Sequence, residues 1–259
     1  MTPVAERIAL YLDGRRPLSV CLDGPALRVS GPGQADGRYP LRRLSRVVAS
    51  GHVDWRTNAL LACMQGGVPV TFLDVDGRPF GSCLGHLLRP LALADRLREL
   101  LARPDWRELY GNWFAATERR QILRVLRRLR RNPRDLRRQA VQDMLLRGHL
   151  RVGTPTQVHR AHELLRGLLC GLVPEILDRA GLTPLLAEAR AHGLSLPGDL
   201  ARLLEWELHF TIHRAARLPL DEHWRRACVA AFEADVPELR RRGALCMAAL
   251  ENWLAEVFP

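Results

Sequence analysis

Six of the seven arginines over residues 119–131 are the side chains best suited to chemistry in this chain: Arg119, Arg120, Arg124, Arg127, Arg128 and Arg131. On a helix, Ile122, Leu123, Leu126 and Leu129 fall on one side, and Arg120, Arg124, Arg127, Arg128 and Arg131 on the other. Each guanidinium can clamp a phosphate through two parallel hydrogen bonds. Like charges at this density cost a free helix a few tenths of a kcal/mol per pair. Glu118 and Asp135 are the acids near them in sequence. A polyanion would relieve the repulsion. The series therefore reads as a surface for a DNA backbone, with no base specificity implied. The alternative is a solvated basic face.

A second constellation lies on LLEWELHFTIHRA, where Glu205, His209 and His213 recur at i, i+4 and i+8 and share a helix face. Carboxylate and imidazole at that spacing can ligate a transition metal. They can equally form a polar stripe bonded to a neighbouring helix. His159 and His162, at i and i+3, are a weaker pair. Asp199 follows Pro197-Gly198 and reads as a helix N-cap. His192 reads as a helix C-terminal residue favoured by the dipole. Asp199, His192 and Asp143 do not assemble into a metal site from spacing alone, and no metal-ligand set is assigned. Gly66-Gly67 closes a helix rather than cradling phosphate, and no Ser-His-Asp pattern is present.

The charge is concentrated. All basic residues are arginine; the 259-residue chain has no lysine and a net charge of +11. Residues 87–161 hold eighteen arginines against seven acids, so this block alone carries as much net charge as the whole chain. Residues 162–259 hold eleven arginines against fourteen acids. Such segregation suits an anionic polymer. The six cysteines form no CxxC pair, which argues against a zinc ribbon and for buried thiols in a reducing compartment. No signal peptide or membrane span is read, so a cytoplasmic protein is expected.

These residues need elements to hold them. Short apolar runs at 8–12, 18–22, 26–30 and 44–49, separated by Gly and Pro, predict strands. A short helix over 57–64, a buried strand over 68–73, a turn at Asp76-Gly77 and a strand over 79–84 follow. Beyond Gly85 the period changes to 3.6. Helices are expected over 92–101, 106–131, 134–146, 156–179, 184–192, 198–217, 221–234 and 236–257. The fold class is α+β: a small β-rich N-terminal domain, residues 1–86, then a larger all-α C-terminal domain, residues 87–259, with the boundary near Gly85–Pro90.

The order of these features resembles the CRISPR-associated spacer-acquisition integrase family of metal-dependent DNA endonuclease/integrases. The resemblance rests on Gly51 with Val53, the helix Asn58–Cys63, the run Gly67–Asp74, and Gly77 and Gly81. Arg119-Arg120-Gln121 is similar to the family's basic-Asn-Gln helix, with Arg in the Asn position. Ala180–Pro184 resembles its Gly-Leu-Asp-Pro turn, and Ser195–Leu200 its Ser-Leu-x-x-Asp-Leu segment. The resemblance implies a divalent metal, Mg or Mn, held by a Glu, a His and an acid. It implies catalytic roles for Asp199 and His192. The match fails at three places. Gln139–Leu150 has no Glu, the family's His falls near Arg190 with His192 two residues late, and the second acid's position is Arg202.

The function expected from sequence is a DNA-binding protein of this integrase fold with a decayed metal site, acting in or beside CRISPR adaptation. Its expected partners are double-stranded DNA, a second copy bound through the N-terminal domain, and the family's small ferredoxin-like adaptation subunit. No membrane is expected, and no cofactor unless the site is active, in which case it is Mg or Mn. One rival is a divergent but active endonuclease/integrase whose site is rebuilt from Asp199 with His192 or with the Glu205/His209/His213 stripe. Another is a basic helix that meets an acidic protein.

Overall fold

The computed structural model describes residues 7–33, 35–74, 76–84, 92–131, 133 and 135–258. The boundary expected near Gly85–Pro90 lies outside them. The chain forms two compact units, Met1–Arg89 with Cys170–Pro184, and Pro90–Leu169 with Leu185–Pro259.

The first unit is built on a six-stranded sheet of order β3-β2-β1-β4-β5-β6. The strands are β1 (Ile8–Asp23), β2 (Ala26–Ser30), β3 (Gly37–Pro40), β4 (Leu44–Trp55), β5 (Val70–Leu73) and β6 (Pro79–Cys83). β1 pairs in parallel with β4, and β4 with β5; the other pairings are antiparallel. The two strands expected over 8–12 and 18–22 are one long β1, and β3 was not foreseen. β1 runs through the expected turn because Gly14 lets it meet β4 without a side chain. A Cβ there would sit 2.5 Å from the His52 backbone nitrogen. Gly51 opposite has φ +74°, a conformation that favours glycine. Leu10, Leu12, Leu18 and Val20 alternate into the core with Leu27, Val47, Ala49 and Val70. Helix α1 (Thr57–Gln65) adds Ala59 and Cys63 to it. Burial pushes the Cys63 thiol up to about 11, which keeps it inert.

The second unit is helical: α2 (Ala92–Leu101), α3 (Trp106–Arg128), α4 (Arg138–His149), α6 (Leu186–Ala191), α7 (Leu196–Ala215) and α8 (Trp224–Val257). α5 (Pro155–Arg179) begins in this unit and ends in the first. The break expected between 234 and 236 does not occur. An apolar stripe of Cys228, Phe232, Val236, Leu239, Cys246, Leu250 and Leu254 continues across Pro237. Burying that stripe outweighs the ~3 kcal/mol that an internal proline costs a helix. Among the described residues no helix is long and apolar enough to cross a membrane.

Candidate nucleic-acid interface and the residues around Asp199

α3 buries Trp106, Tyr110, Trp113, Phe114, Thr117, Ile122, Val125 and Leu126, a stripe at helical spacing. The opposite side carries the arginines. The helix stops at Arg128, one turn short of the expected 131. Arg131 N–H donates to the Leu126 carbonyl, and Arg130 N–H to that of Arg127. These are the two bonds of a Schellman motif, with Pro133 just beyond. Arg130 holds the left-handed position at φ +50°, where glycine is usual.

The six candidate arginines divide. Arg119, Arg120, Arg127 and Arg131 are exposed and make no ion pair among the described residues. Arg124 is not part of that open face, which corrects the sequence reading. It is half-buried, 2.8 Å from Glu238 and 3.5 Å from the buried Glu207. Arg128 also reaches Glu207, at 3.5 Å, and stacks 3.9 Å over the Phe210 ring. The acids that offset the repulsion are thus Glu207 and Glu238, from α7 and α8. Glu118 and Asp135, the sequence neighbours, pair instead with Arg138 and Arg137. Burial raises the Glu207 carboxyl and the two arginines oppose that.

Asp199 lies in the first turn of α7, whose N-cap is Ser195; the Ser195 hydroxyl accepts from Gly198 N–H at 3.3 Å. The N-cap role read for Asp199 therefore falls to Ser195. Asp199 accepts a bond from Tyr110 Oη at 3.2 Å and has Arg202 at 4.0 Å. Burial raises its carboxyl, while Tyr110 and Arg202 oppose the shift. His192 is the C-cap residue of α6, as expected, and its carbonyl accepts from Arg107 at 3.0 Å. No hydrogen bond or ion pair joins Asp199 to His192 among the described residues.

The Glu205/His209/His213 stripe is taken apart by its neighbours. Glu205 is bound by Arg138 at 3.1 Å and His162 at 3.3 Å. His209 is buried, and its Nδ1 lies 3.1 Å from His149 Nε2. His213 lies 5.8 Å from the His149 ring and 3.3 Å from Arg217. Arg138 and His149 were not picked from sequence, and Glu118 was read only as a neighbour of the arginine series. They lie on other helices, and no local spacing announces them.

A divalent metal, which the resemblance implies, does not fit these residues. Arg202 approaches Asp199 where a second acid is wanted. Arg138 sits between Glu118 and Glu205 and spends its positive charge on both. Among the described residues no three His, Cys, Asp or Glu side chains are placed to hold a metal ion. Arg138→Met is expected to lower the unfolding free energy by about 2 kcal/mol, since it strands two largely buried carboxylates. Thermal unfolding checks this; an unchanged midpoint would show that the guanidinium is not their counter-charge.

A mixed six-stranded sheet followed by a helical body defines an α+β protein. The chain belongs to the Cas1 family: the family model for CRISPR associated protein Cas1 matches residues 14–158, over half its length. Its fold is similar to that of a Cas1 protein from Thermotoga maritima, with a TM-score of 0.78 and 12% identity over 96% of this chain and 97% of that one. TtCas1 in a DNA complex gives a TM-score of 0.69 and 17% identity over 94% and 91%. A casposase bound to integration product gives 0.61 and 12% over 94% and 90%. No curated protein matches the sequence.

Proposed function

We propose that this chain is a DNA-binding Cas1 protein that acts in or beside CRISPR adaptation with its metal-dependent chemistry lost. The observation that carries the proposal is the open arginine face of α3 beside carboxylates already neutralised by arginines. Arg119, Arg120, Arg127 and Arg131 meet the duplex backbone, and Arg124 and Arg128 stiffen the helix from behind. Residues 87–259 are the DNA-binding part. Residues 1–86 are the surface through which two copies pair in the cytoplasm. Family membership and the likeness to a DNA-bound TtCas1 support the DNA partner. A small ferredoxin-like adaptation subunit fits the same reading, and a Cas6-RT-Cas1–Cas2 complex of similar fold supports it, with a TM-score of 0.67 and 14% identity over 96% of this chain and 35% of that one.

The test is duplex binding as a function of salt. Affinity should fall by orders of magnitude between low and physiological salt if about six or more phosphates are contacted. Arg119→Ala/Arg120→Ala/Arg127→Ala should weaken every duplex alike, by about tenfold or more, and flatten the salt slope. Salt-independent or absent binding would instead favour an acidic protein partner for this face.

A further inference from the structure

Beyond the end of α3, a cavity of about 580 Å³ opens between α4 and the C-terminal half of α7. That volume is in the range of small-ligand sites. Arg131, Arg147 and Arg151 line it, exposed and without an ion-pair partner among the described residues. His149, His209 and His213 line it too. None of its described lining residues is acidic. His149 is buried, and its Nδ1 has no hydrogen-bond partner. The wall is therefore rich in donors: Arg128 and Arg214, which also line it, are paired with Glu207 and Asp235, whereas Arg131, Arg147 and Arg151 carry positive charge without such a counter-charge among the described residues. The cavity is distinct from Asp199, which stands three helical turns and more from His213 along α7.

We infer that this cavity is a binding site for a nucleoside monophosphate group, its phosphate held by Arg131, Arg147 and Arg151 with His149 at the back. Three guanidiniums lining one cavity, with no carboxylate among its described lining residues, provide the charge-assisted bonds a phosphate monoester takes. The imidazole pair can complete the shell by tautomer choice. If His209 Nδ1–H donates to His149 Nε2, then His149 Nδ1 carries the other proton and is a donor for the anion. Burial holds both rings below their usual range, His149 to about 4 and His209 to about 3, so each is neutral at working pH. The volume exceeds a bare phosphate and leaves room for the sugar and base. Such a group comes either from a free nucleotide or from the 5′ end of a DNA strand. The site stands on its own residues, whether or not the face of α3 binds duplex.

Isothermal titration of the full chain with a deoxynucleoside 5′-monophosphate, with the matching nucleoside, and with duplexes bearing a 5′-phosphate or a 5′-hydroxyl tests it. The monophosphate should bind and the nucleoside should not. Arg147→Ala/Arg151→Ala should weaken the monophosphate at least tenfold and leave thermal unfolding near that of the parent. In ¹⁵N spectra the His149 imidazole signals should shift on adding the monophosphate. A preference of fivefold or more for the 5′-phosphoryl duplex, lost in the double variant, assigns the strand end as the source. Binding of the monophosphate without that preference assigns the free nucleotide. If neither phosphate is discriminated from its unphosphorylated partner, or the double variant binds as the parent does, the site is refuted. Arg119, Arg120 and Arg127 do not line the cavity. Their triple variant therefore separates failure of duplex binding from failure of this pocket.

Discussion

Glu175→Ala is expected to lower the unfolding free energy by about 3–5 kcal/mol, the largest effect of any single side chain considered. Glu175, at the end of α5, is 3.2 Å from Arg46 on the central strand β4. The Arg46 side chain is fully buried, and Glu175 is 5% exposed. Tyr11 bonds the same guanidinium at 2.8 Å, and Arg179 bonds the other side of the carboxylate at 2.8 Å. Removing the carboxylate takes its counter-charge from a buried cation, which is what makes the loss large. Urea unfolding of the single variant reads the cost directly. Arg46→Met/Glu175→Leu should recover most of it, because replacing both charges removes the stranded ion. A loss below about 1 kcal/mol in the single variant would mean that water reaches Arg46.

Stability should also fall on mild acidification, by about 5 kcal/mol between pH 6.5 and pH 4 for the two histidines His149 and His209 together. His149 is held to about 4 and His209 to about 3, in both cases first by burial and then by neighbouring histidines. In the unfolded chain each titrates near 6.5. Below that pH the unfolded state binds protons the native state refuses. The native state therefore loses about 1.4 kcal/mol per pH unit for each histidine involved. The contribution is complete above pH 6.5 and declines as pH falls toward 4. Around the pair, His162, His213, Glu205 and Arg138 set the local field. His149→Phe/His209→Phe should flatten the urea midpoint between pH 7.5 and pH 5. An equally steep profile in that variant would assign the acid sensitivity to other groups.

The fold was legible where period and glycine chemistry act locally. The alternation of Leu10, Leu12, Leu18 and Val20, the α1 helix with its Gly66-Gly67 end, and the return over Pro79–Cys83 need only neighbours in sequence. The merging of β1 across Gly14 was not legible, because it depends on β4 arriving at Gly51. The same applies to α8, where a long buried stripe overrides one proline. At the site, sequence found the arginines but not their partners. Arg124 looks free along α3 and is held by Glu207 and Glu238, some 80 and 114 residues away. Glu205 looks like a ligand, and Arg138 and His162 already occupy it. Asp199 and Glu205 both lie on α7, but the side chains that hold Glu205 come from α4 and α5, which no spacing along α7 announces.

We propose that this Cas1 protein binds DNA without metal-dependent chemistry. One preparation, shown to bind duplex DNA, should be incubated with Mg²⁺ and with Mn²⁺ and assayed for nicking and strand transfer. The account predicts retained binding, no product above the metal-free control, and duplex binding unaltered by Asp199→Ala. Metal-dependent product that disappears in Asp199→Ala, with binding intact, would contradict it.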